Sequence, residues 1–242
     1  MTTPALAETV KGKGRHYRHP QSQKLVPSVT NVIGSVLAKP ALPRWAAKVV
    51  AEQAVAMRDS LQNLDEEEAI TILKGSPWRS SGRAANRGTT IHAYLEARLL
   101  GLEPEVLDGD AVKYRRAAEA WLDEWKPDVV ATELTVFDKR YAGTGDLWCK
   151  VDGEMRIVDF KTSKAIYPEA ALQLSALWGA RDTVDDYAPH YYETTDVTCW
   201  AVRIGERGFS TKQVADPDGC LTAFHALLDV FEWQQDDPYL EA

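Results

Sequence analysis

Hydrophobic and polar residues alternate in two neighbouring stretches in the middle of the chain. The stretches cover residues 143–151 and 154–161, and only Asp152 and Gly153 separate them. An Asp-Gly pair between alternating apolar residues favours a type I′ turn, because both central positions of that turn need a positive φ. The pattern therefore predicts a β-hairpin with a two-residue loop.

The predicted loop sets the pairing register of the hairpin, with Val151 opposite Glu154. In that register Asp146 lies opposite Asp159, at a cross-strand Cβ separation of about 4.5–5.5 Å. Lys161 follows Asp159 by two residues, so its side chain points to the same face of the strand. The hairpin thus brings two carboxylates and one ammonium group together.

Periodicity over the rest of the chain predicts helices alternating with short strands. Residues 76–82 have the composition of a loop. Two further strands, 196–204 and 208–214, form a second predicted hairpin. A further strand is predicted over 129–137. The predicted helices are 28–37, Pro43 to about Ser60, 65–74, a helix that contains His92 and ends at Gly101, 110–126, 168–180 and 219–234.

Facing carboxylates repel each other, so the predicted hairpin gains from a cation between Asp146 and Asp159. Oxygen ligands of this kind suit Mg²⁺ or Mn²⁺, and such an ion can neutralise charge that develops on a phosphoryl group. Lys161 beside the ion can contact a scissile phosphate. The alternative is an ordinary surface ion pair between the lysine and one of the two acids.

The order of these motifs resembles a known superfamily. Gly143-x-x-Asp146 followed by Asp159-Phe-Lys161 is similar to the core of the PD-(D/E)XK nucleases. Within that superfamily, the segments 87–96 and 173–176 resemble the RecB-type branch. The N-terminal segment 27–47 resembles its phage-encoded exonuclease group.

The resemblance implies a fold and a division of the chain. The expected fold is α/β, with a restriction-endonuclease-like core in which a mixed central sheet is flanked by helices, and with an N-terminal helical elaboration. Residues 1–26 are expected to form a basic arm that need not be ordered. A helical region over 27–127 carries the histidine motif, 128–242 form the nuclease core, and 27–242 make one compact unit.

The resemblance also implies roles for individual residues around a divalent metal ion. Lys161 is the expected catalytic lysine, and Gln173 is expected to position it or the nucleic-acid backbone. Asp146 and Asp159 are expected to act in catalysis as metal ligands. The full implied ligand set is His92, Asp146, Asp159 and the backbone carbonyl of Phe160, with Glu133 as a supporting acid.

Charge is distributed unevenly along the 242 residues, whose formal net charge is −8. Residues 9–51 contain eight Lys or Arg and no acid, and 69–95 contain four Lys or Arg and no acid. Such polarity suits binding of phosphates by one face, while a solvated arm is the alternative for the first twenty or so residues. The expected nucleic-acid contacts are Arg44, Lys48, Arg83, Arg87, Lys164 and Trp148, the last because it shares a strand face with Asp146.

Cysteine content and hydropathy narrow the class of protein further. Only three cysteines occur, whereas the iron–sulfur cluster of some RecB-type relatives needs four. We therefore expect no iron–sulfur cluster in this protein. Cys149 is expected to face away from Asp146. No apolar run approaches the roughly 20 residues of a membrane span, and the first residues lack a hydrophobic signal region. We therefore expect a cytoplasmic protein without membrane contact, in the host cytoplasm if a phage encodes it.

The expected function is that of a metal-dependent deoxyribonuclease, an exonuclease in recombination, repair or phage DNA processing that leaves 5′-phosphates. Its partners would be DNA ends and a recombination protein such as a single-strand annealing protein. The alternatives are a structure-specific endonuclease, a catalytically silent DNA-binding module, or an acidic scaffold with accidental motif matches. Exonuclease polarity, strand preference, processivity, the number of metal ions, the oligomeric state and the pathway stay open.

Overall fold

The computed structural model describes residues 6–180, 182–183 and 196–235. The chain divides into two units, one formed by Met1–Leu37 with Thr90–Ala242 and the other by Ala38–Thr89. This division differs from the expected boundaries after residues 26 and 127 and from a single unit over 27–242. A helical pattern in the sequence does not show which helices pack against the sheet, and that packing decides the division.

The centre of the first unit is a mixed sheet of six strands. The spatial order is β7-β4-β5-β6-β8-β9, in which β6 and β8 are parallel and all other neighbours are antiparallel. This arrangement, flanked by helices, confirms the expected mixed α/β fold class. The strands are β4 (Asp128–Phe137), β5 (Ala142–Val151), β6 (Glu154–Lys161), β7 (Asp182–Thr183), β8 (Thr198–Gly205) and β9 (Gly208–Gln213).

Helices cover both faces of this sheet, and the alternation along β6 shows which face each helix covers. Met155 and Ile157 point into a core shared with α1 (Val29–Val36), α7 (Glu169–Gly179) and α8 (Pro217–Gln235). Val158 and Phe160 point into a second core on the opposite face. That core is completed by Ile91, Tyr94 and Leu95, a 3₁₀ helix (Gly109–Tyr114) and α6 (Arg115–Trp125).

The N-terminal residues form a small antiparallel sheet rather than a loose arm. Its strands are β1 (Ala7–Val10), β2 (Gly14–Arg18) and β3 (Leu25–Pro27). Tyr17 is buried in a cluster with Phe137 of β4, and this packing orders the segment. These strands are only three to five residues long, which is too short for the alternation of apolar and polar residues to predict them.

The second unit contains α2 (Ala41–Ala56), α3 (Arg58–Leu61), α4 (Glu66–Lys74) and the first part of α5 (Ser76–Leu99). The predicted helix over 65–74 is confirmed as α4, and Asp65 caps it by accepting a hydrogen bond from the Glu68 amide. The expected loop over 76–82 is wrong. Ser76 and Arg79 donate hydrogen bonds to the last carbonyls of α4, so α5 begins immediately.

Among the described residues, no helix combines the length and the apolar character needed to cross a membrane. The three cysteines are free thiols, and Cys149 lies in the core that contains Val158 and Phe160. Burial raises the pKa of the Cys149 and Cys199 thiols to about 12. Cys220 is half-buried.

We expect one reactive thiol in the native protein, because a thiol reagent attacks only accessible thiolate. Titration with an aromatic disulfide should label Cys220 and leave Cys149 and Cys199 unmodified until denaturant is added. The variant Cys220→Ser should lose the native signal and keep two thiols in denaturant. Rapid labelling of that variant under native conditions would contradict the packing of β5 and β8.

Candidate active site

The β5–β6 hairpin has the register that the sequence predicts. Asp152 and Gly153 form the turn with φ of 53° and 83°, as a type I′ turn requires. Val151 faces Glu154, and the regular pairing continues up to Leu147 opposite Val158. The ladder therefore ends one pair before Asp146 and Asp159, the two acids that the prediction placed face to face.

The Asp146 carboxylate lies just beyond the last β5–β6 pair, and each of its two oxygens contacts a different group. Its Oδ2 accepts a 2.6 Å hydrogen bond from the backbone amide of Phe160. Its Oδ1 lies 3.3 Å from Nδ1 of His92. Burial opposes ionisation of Asp146, but the His92 charge and these hydrogen bonds outweigh it and lower the pKa of the carboxyl group.

His92 approaches Asp146 from the C-terminal part of α5. Ile91 and Leu95 of the same helix are buried in the core beneath the sheet, and this packing fixes where the imidazole points. Its ring also meets the Phe160 ring edge-on, with 6.2 Å between the centroids. Burial disfavours the imidazolium, but the Asp146 carboxylate outweighs burial and raises the pKa of His92 to about 9.

Glu133 lies across from Asp146 on the other neighbouring strand. The β4–β5 register places Thr132 opposite Leu147 and Leu134 opposite Gly145, so Glu133 faces Asp146 between them. The backbone of Glu133 is left-handed, with φ of 49°, a conformation that costs about 1–3 kcal/mol in a non-glycine residue. Burial, with the Asp146 charge added, raises the pKa of Glu133 to about 7.

His92, Glu133 and Asp146 form a group of potential metal ligands. One donor atom from each lies within 4.8 Å of the others. One imidazole nitrogen and two carboxylates fit a divalent cation, and the carboxylate majority suits Mg²⁺ or Mn²⁺. This group differs from the expected set, because it contains Glu133 and does not contain Asp159.

Asp159 instead binds Lys161 and Gln173. Nζ of Lys161 lies 2.6 Å from Oδ2 of Asp159 and donates a 2.9 Å hydrogen bond to Oε1 of Gln173. The Gln173 amide in turn donates to Oδ1 of Asp159 at 2.9 Å, so the three side chains close a ring of contacts. The structure thus brings together the lysine, acid and glutamine that the sequence singled out.

Charge within this ring is nearly balanced. Burial raises the pKa of Asp159, and the nearby Asp146 carboxylate adds to that effect while Lys161 opposes it. Burial opposes the charged form of Lys161, but Asp159 outweighs it and raises the pKa of the ammonium group. Lys161 is therefore a cation at neutral pH.

The remaining predicted contacts are distributed over both units. The backbone of Phe160 joins the site through its amide, and the role of its carbonyl stays a prediction. Lys164 is exposed in the loop after β6. In the second unit Arg44, Lys48 and Arg83 are exposed and Arg87 is half-buried, and their contact with nucleic acid stays a prediction.

The prediction that Trp148 contacts nucleic acid is wrong. The Trp148 side chain is only 1 % exposed and lies in the core with Met155 and Ile157. Its ring covers Gly145 so closely that a Cβ there would lie 2.3 Å from the indole. Because Gly145, three residues before Trp148, has no side chain, the indole ring has room there, and Trp148 belongs to the core.

Comparison with known proteins finds low similarity. No family model and no curated protein matches the chain. The protein SSO0001 is similar in structure, with 12 % identity and a TM-score of 0.32 over 53 % of this chain, which spans 61 % of that protein's length. An alkaline exonuclease, LHK-Exo from Laribacter hongkongensis, has 14 % identity and a TM-score of 0.31 over 63 % of this chain and 84 % of its own.

The same exonuclease in complex with dAMP has 14 % identity and a TM-score of 0.29, over 62 % of this chain and 83 % of its own. Scores at this level carry no argument about activity. The chemistry of the site rests on the side chains described above.

Metal binding should release protons, because a ligating imidazole and carboxylate must be deprotonated. With the pKa of His92 at about 9 and that of Glu133 at about 7, Mn²⁺ affinity should rise from pH 6 towards pH 9. Titration calorimetry in buffers of different ionisation enthalpy should show more than one proton released near pH 7. Affinity that does not depend on pH would contradict this ligand set.

Glu133→Gln should raise stability and weaken metal binding together. Because the folded pKa lies above the ordinary value of 4.5, the ionised group costs stability once pH exceeds 4.5, and the cost grows until pH passes about 7. In chelator, Glu133→Gln should therefore raise the free energy of unfolding, measured with denaturant, by more at pH 8 than at pH 5. The increase at pH 8 should be about 1 kcal/mol after allowance for partial exposure of the side chain. Mn²⁺ affinity should fall about tenfold or more.

The matched variant for Glu133→Gln is Glu96→Gln, an acid on α5 whose charge also acts on Glu133. It should leave Mn²⁺ affinity within about twofold of wild type, because Glu96 is outside the ligand group. An equal loss of Mn²⁺ affinity in both variants would contradict direct ligation of the metal by Glu133.

Proposed function

We propose that this protein is a divalent-metal-dependent deoxyribonuclease. The observation that carries the proposal is the adjacency of two assemblies at the end of one hairpin. One is the ligand group His92, Glu133 and Asp146, and the other is a lysine ammonium held by Asp159 and Gln173. A cation-binding group beside a fixed ammonium suits a reaction in which negative charge builds on a phosphate.

The residues divide the work according to their charge. When Mg²⁺ or Mn²⁺ is bound, it supplies Lewis-acid polarisation and lowers the pKa of water. Lys161 stays protonated, so it donates hydrogen bonds to a phosphate oxygen or to the attacking water and does not act as a general base. Gln173 holds the ammonium group in place by accepting its hydrogen bond, and Asp159 holds it by an ion pair.

The reaction is hydrolysis of a phosphodiester bond. Water oxygen bonds to phosphorus and gives up one proton, the bond from phosphorus to the 3′ oxygen breaks, and the 3′ oxygen takes up one proton, so that the net change is the addition of one water molecule. The products carry a 5′-phosphate and a 3′-hydroxyl, as the resemblance to RecB-type nucleases implies. We propose an exonuclease acting at DNA ends on the same ground.

End-labelled linear DNA and closed circular DNA, each with Mg²⁺, Mn²⁺ or chelator, test the proposal. Linear DNA should be degraded from its ends in either metal and remain intact in chelator, and circles should persist. Cleavage of closed circles would show that the protein is an endonuclease that uses the same site, and not an exonuclease. Degradation in chelator would contradict the metal-dependent reaction.

Lys161→Ala should lower kcat by about a thousandfold or more, because the negative charge that develops on the phosphate in the transition state loses the ammonium group that stabilises it. DNA binding should persist. Removing the cation also leaves the buried Asp159 with Gln173 alone, so the variant should be less stable but folded at low temperature. Single-turnover cleavage and circular dichroism measure the two effects.

Lys212→Ala is the matched control for Lys161→Ala, since Lys212 is exposed on β9. It should keep wild-type kcat and stability. A Lys161→Ala protein that cleaves at the control's rate would overturn the assigned role of the lysine.

A further inference from the structure

The turn between β1 and β2 carries three cations without an acidic partner. Lys11, Lys13 and Arg15 are all exposed. Their side chains make no hydrogen bond or ion pair with any other described residue. Arg18, at the far end of β2, shows the contrast, since it pairs with Glu8 at 2.9 Å. Positive charge is therefore left available at one end of the hairpin.

The backbone of this turn is held firmly. Nδ2 of Asn31 on α1 donates a 2.6 Å hydrogen bond to the carbonyl of Lys13 and a 3.4 Å bond to that of Arg15. Gly14 has φ of 78°, and a Cβ at this position would lie 2.5 Å from the Asn31 amide oxygen. The glycine thus permits both the turn and the close approach of the asparagine. A rigid base lowers the entropy lost when the side chains bind a ligand.

The turn is connected to the strand that carries Asp146. The Ser28 amide donates to the Arg15 carbonyl at 3.0 Å, and Ser28 also forms a parallel bridge with Ala142, the first residue of β5. The Tyr17 hydroxyl lies 3.1 Å from that of Thr144, two residues before Asp146. At about 3.3 Å per residue, Ala142 lies about 13 Å from Asp146 along β5.

We propose that the Lys11–Arg15 turn binds the phosphate backbone of DNA several nucleotides away from the bond that is hydrolysed. The inference rests on the proposed nuclease function and adds a substrate contact to it. The segment Lys-Gly-Lys-Gly-Arg exposes charge without any apolar side chain. Protein interfaces have an apolar centre, whereas phosphate binding needs only correctly placed cations, so DNA fits this surface better than a protein partner does.

The test compares two double variants that remove the same charge. The first is Lys11→Gln with Lys13→Gln. The control is Lys150→Gln with Lys212→Gln, whose lysines are exposed at the other end of β5 and on β9. The probe is a fluorescein-labelled linear DNA duplex in chelator, titrated over a range of sodium chloride concentrations and read by fluorescence anisotropy.

The turn variant should bind the duplex about tenfold more weakly at moderate salt and should lower the slope of log K against log salt by about 2. In Mg²⁺ its KM for DNA should rise while kcat at saturating DNA stays near wild type, because the turn does not touch the reacting phosphate. The control should match wild type in both assays. Circular dichroism checks that both variants are folded.

A turn variant with the control's affinity and salt slope would overturn the proposal. If wild type still cleaves DNA in that case, the proposed function stands and only the turn contact is lost. A wild-type protein that neither binds nor cleaves DNA would overturn both. A fall in kcat without a rise in KM would also overturn the proposal, since it would place the turn at the reaction centre.

Discussion

The hydrogen bond between the Asp146 carboxylate and the Phe160 amide is the interaction on which the site depends. It forms where the regular β5–β6 pairing has ended, one pair beyond Leu147 and Val158. From that position it reaches His92 on α5, which packs on one face, while Asp159 and Lys161 face α7 on the other. One side chain thus connects the two halves of the site.

Charge balance explains why the site tolerates so many buried ionisable groups. His92 and Lys161 compensate Asp146 and Asp159, which leaves Glu133 as the acid with the least compensation, and burial raises its pKa to about 7. Its left-handed backbone adds strain in the same place. Strain and unbalanced charge concentrated at one residue are features of functional sites, where a ligand restores the balance. In this protein a divalent cation would do so.

The small N-terminal sheet extends the site beyond the chemistry at its centre. Packing of Tyr17 against Phe137 and the Ser28–Ala142 bridge hold this sheet to β4 and β5. Its basic turn belongs to the same unit as Asp146, and Asn31 holds the turn's backbone in place. An ordered turn between two strands differs physically from the flexible basic arm that composition alone suggested.

The resemblance to RecB-type nucleases implied the contact of Gln173 with Lys161, which the structure contains. The order of residues alone predicts the β5–β6 hairpin and puts Asp159 and Lys161 on one strand face, because a two-residue Asp-Gly turn admits one register and strand parity then places each side chain. It did not determine the position of Glu133. The turn between β4 and β5, in which the Asp138 amide donates to the Tyr141 carbonyl, has no Asp-Gly or Asn-Gly pair to mark it in the sequence, and a left-handed φ leaves no mark in the order of residues. Folding brings Glu133, and not Asp159, into the ligand group with His92 and Asp146, because that grouping depends on where the β5–β6 ladder ends and on the packing of α5.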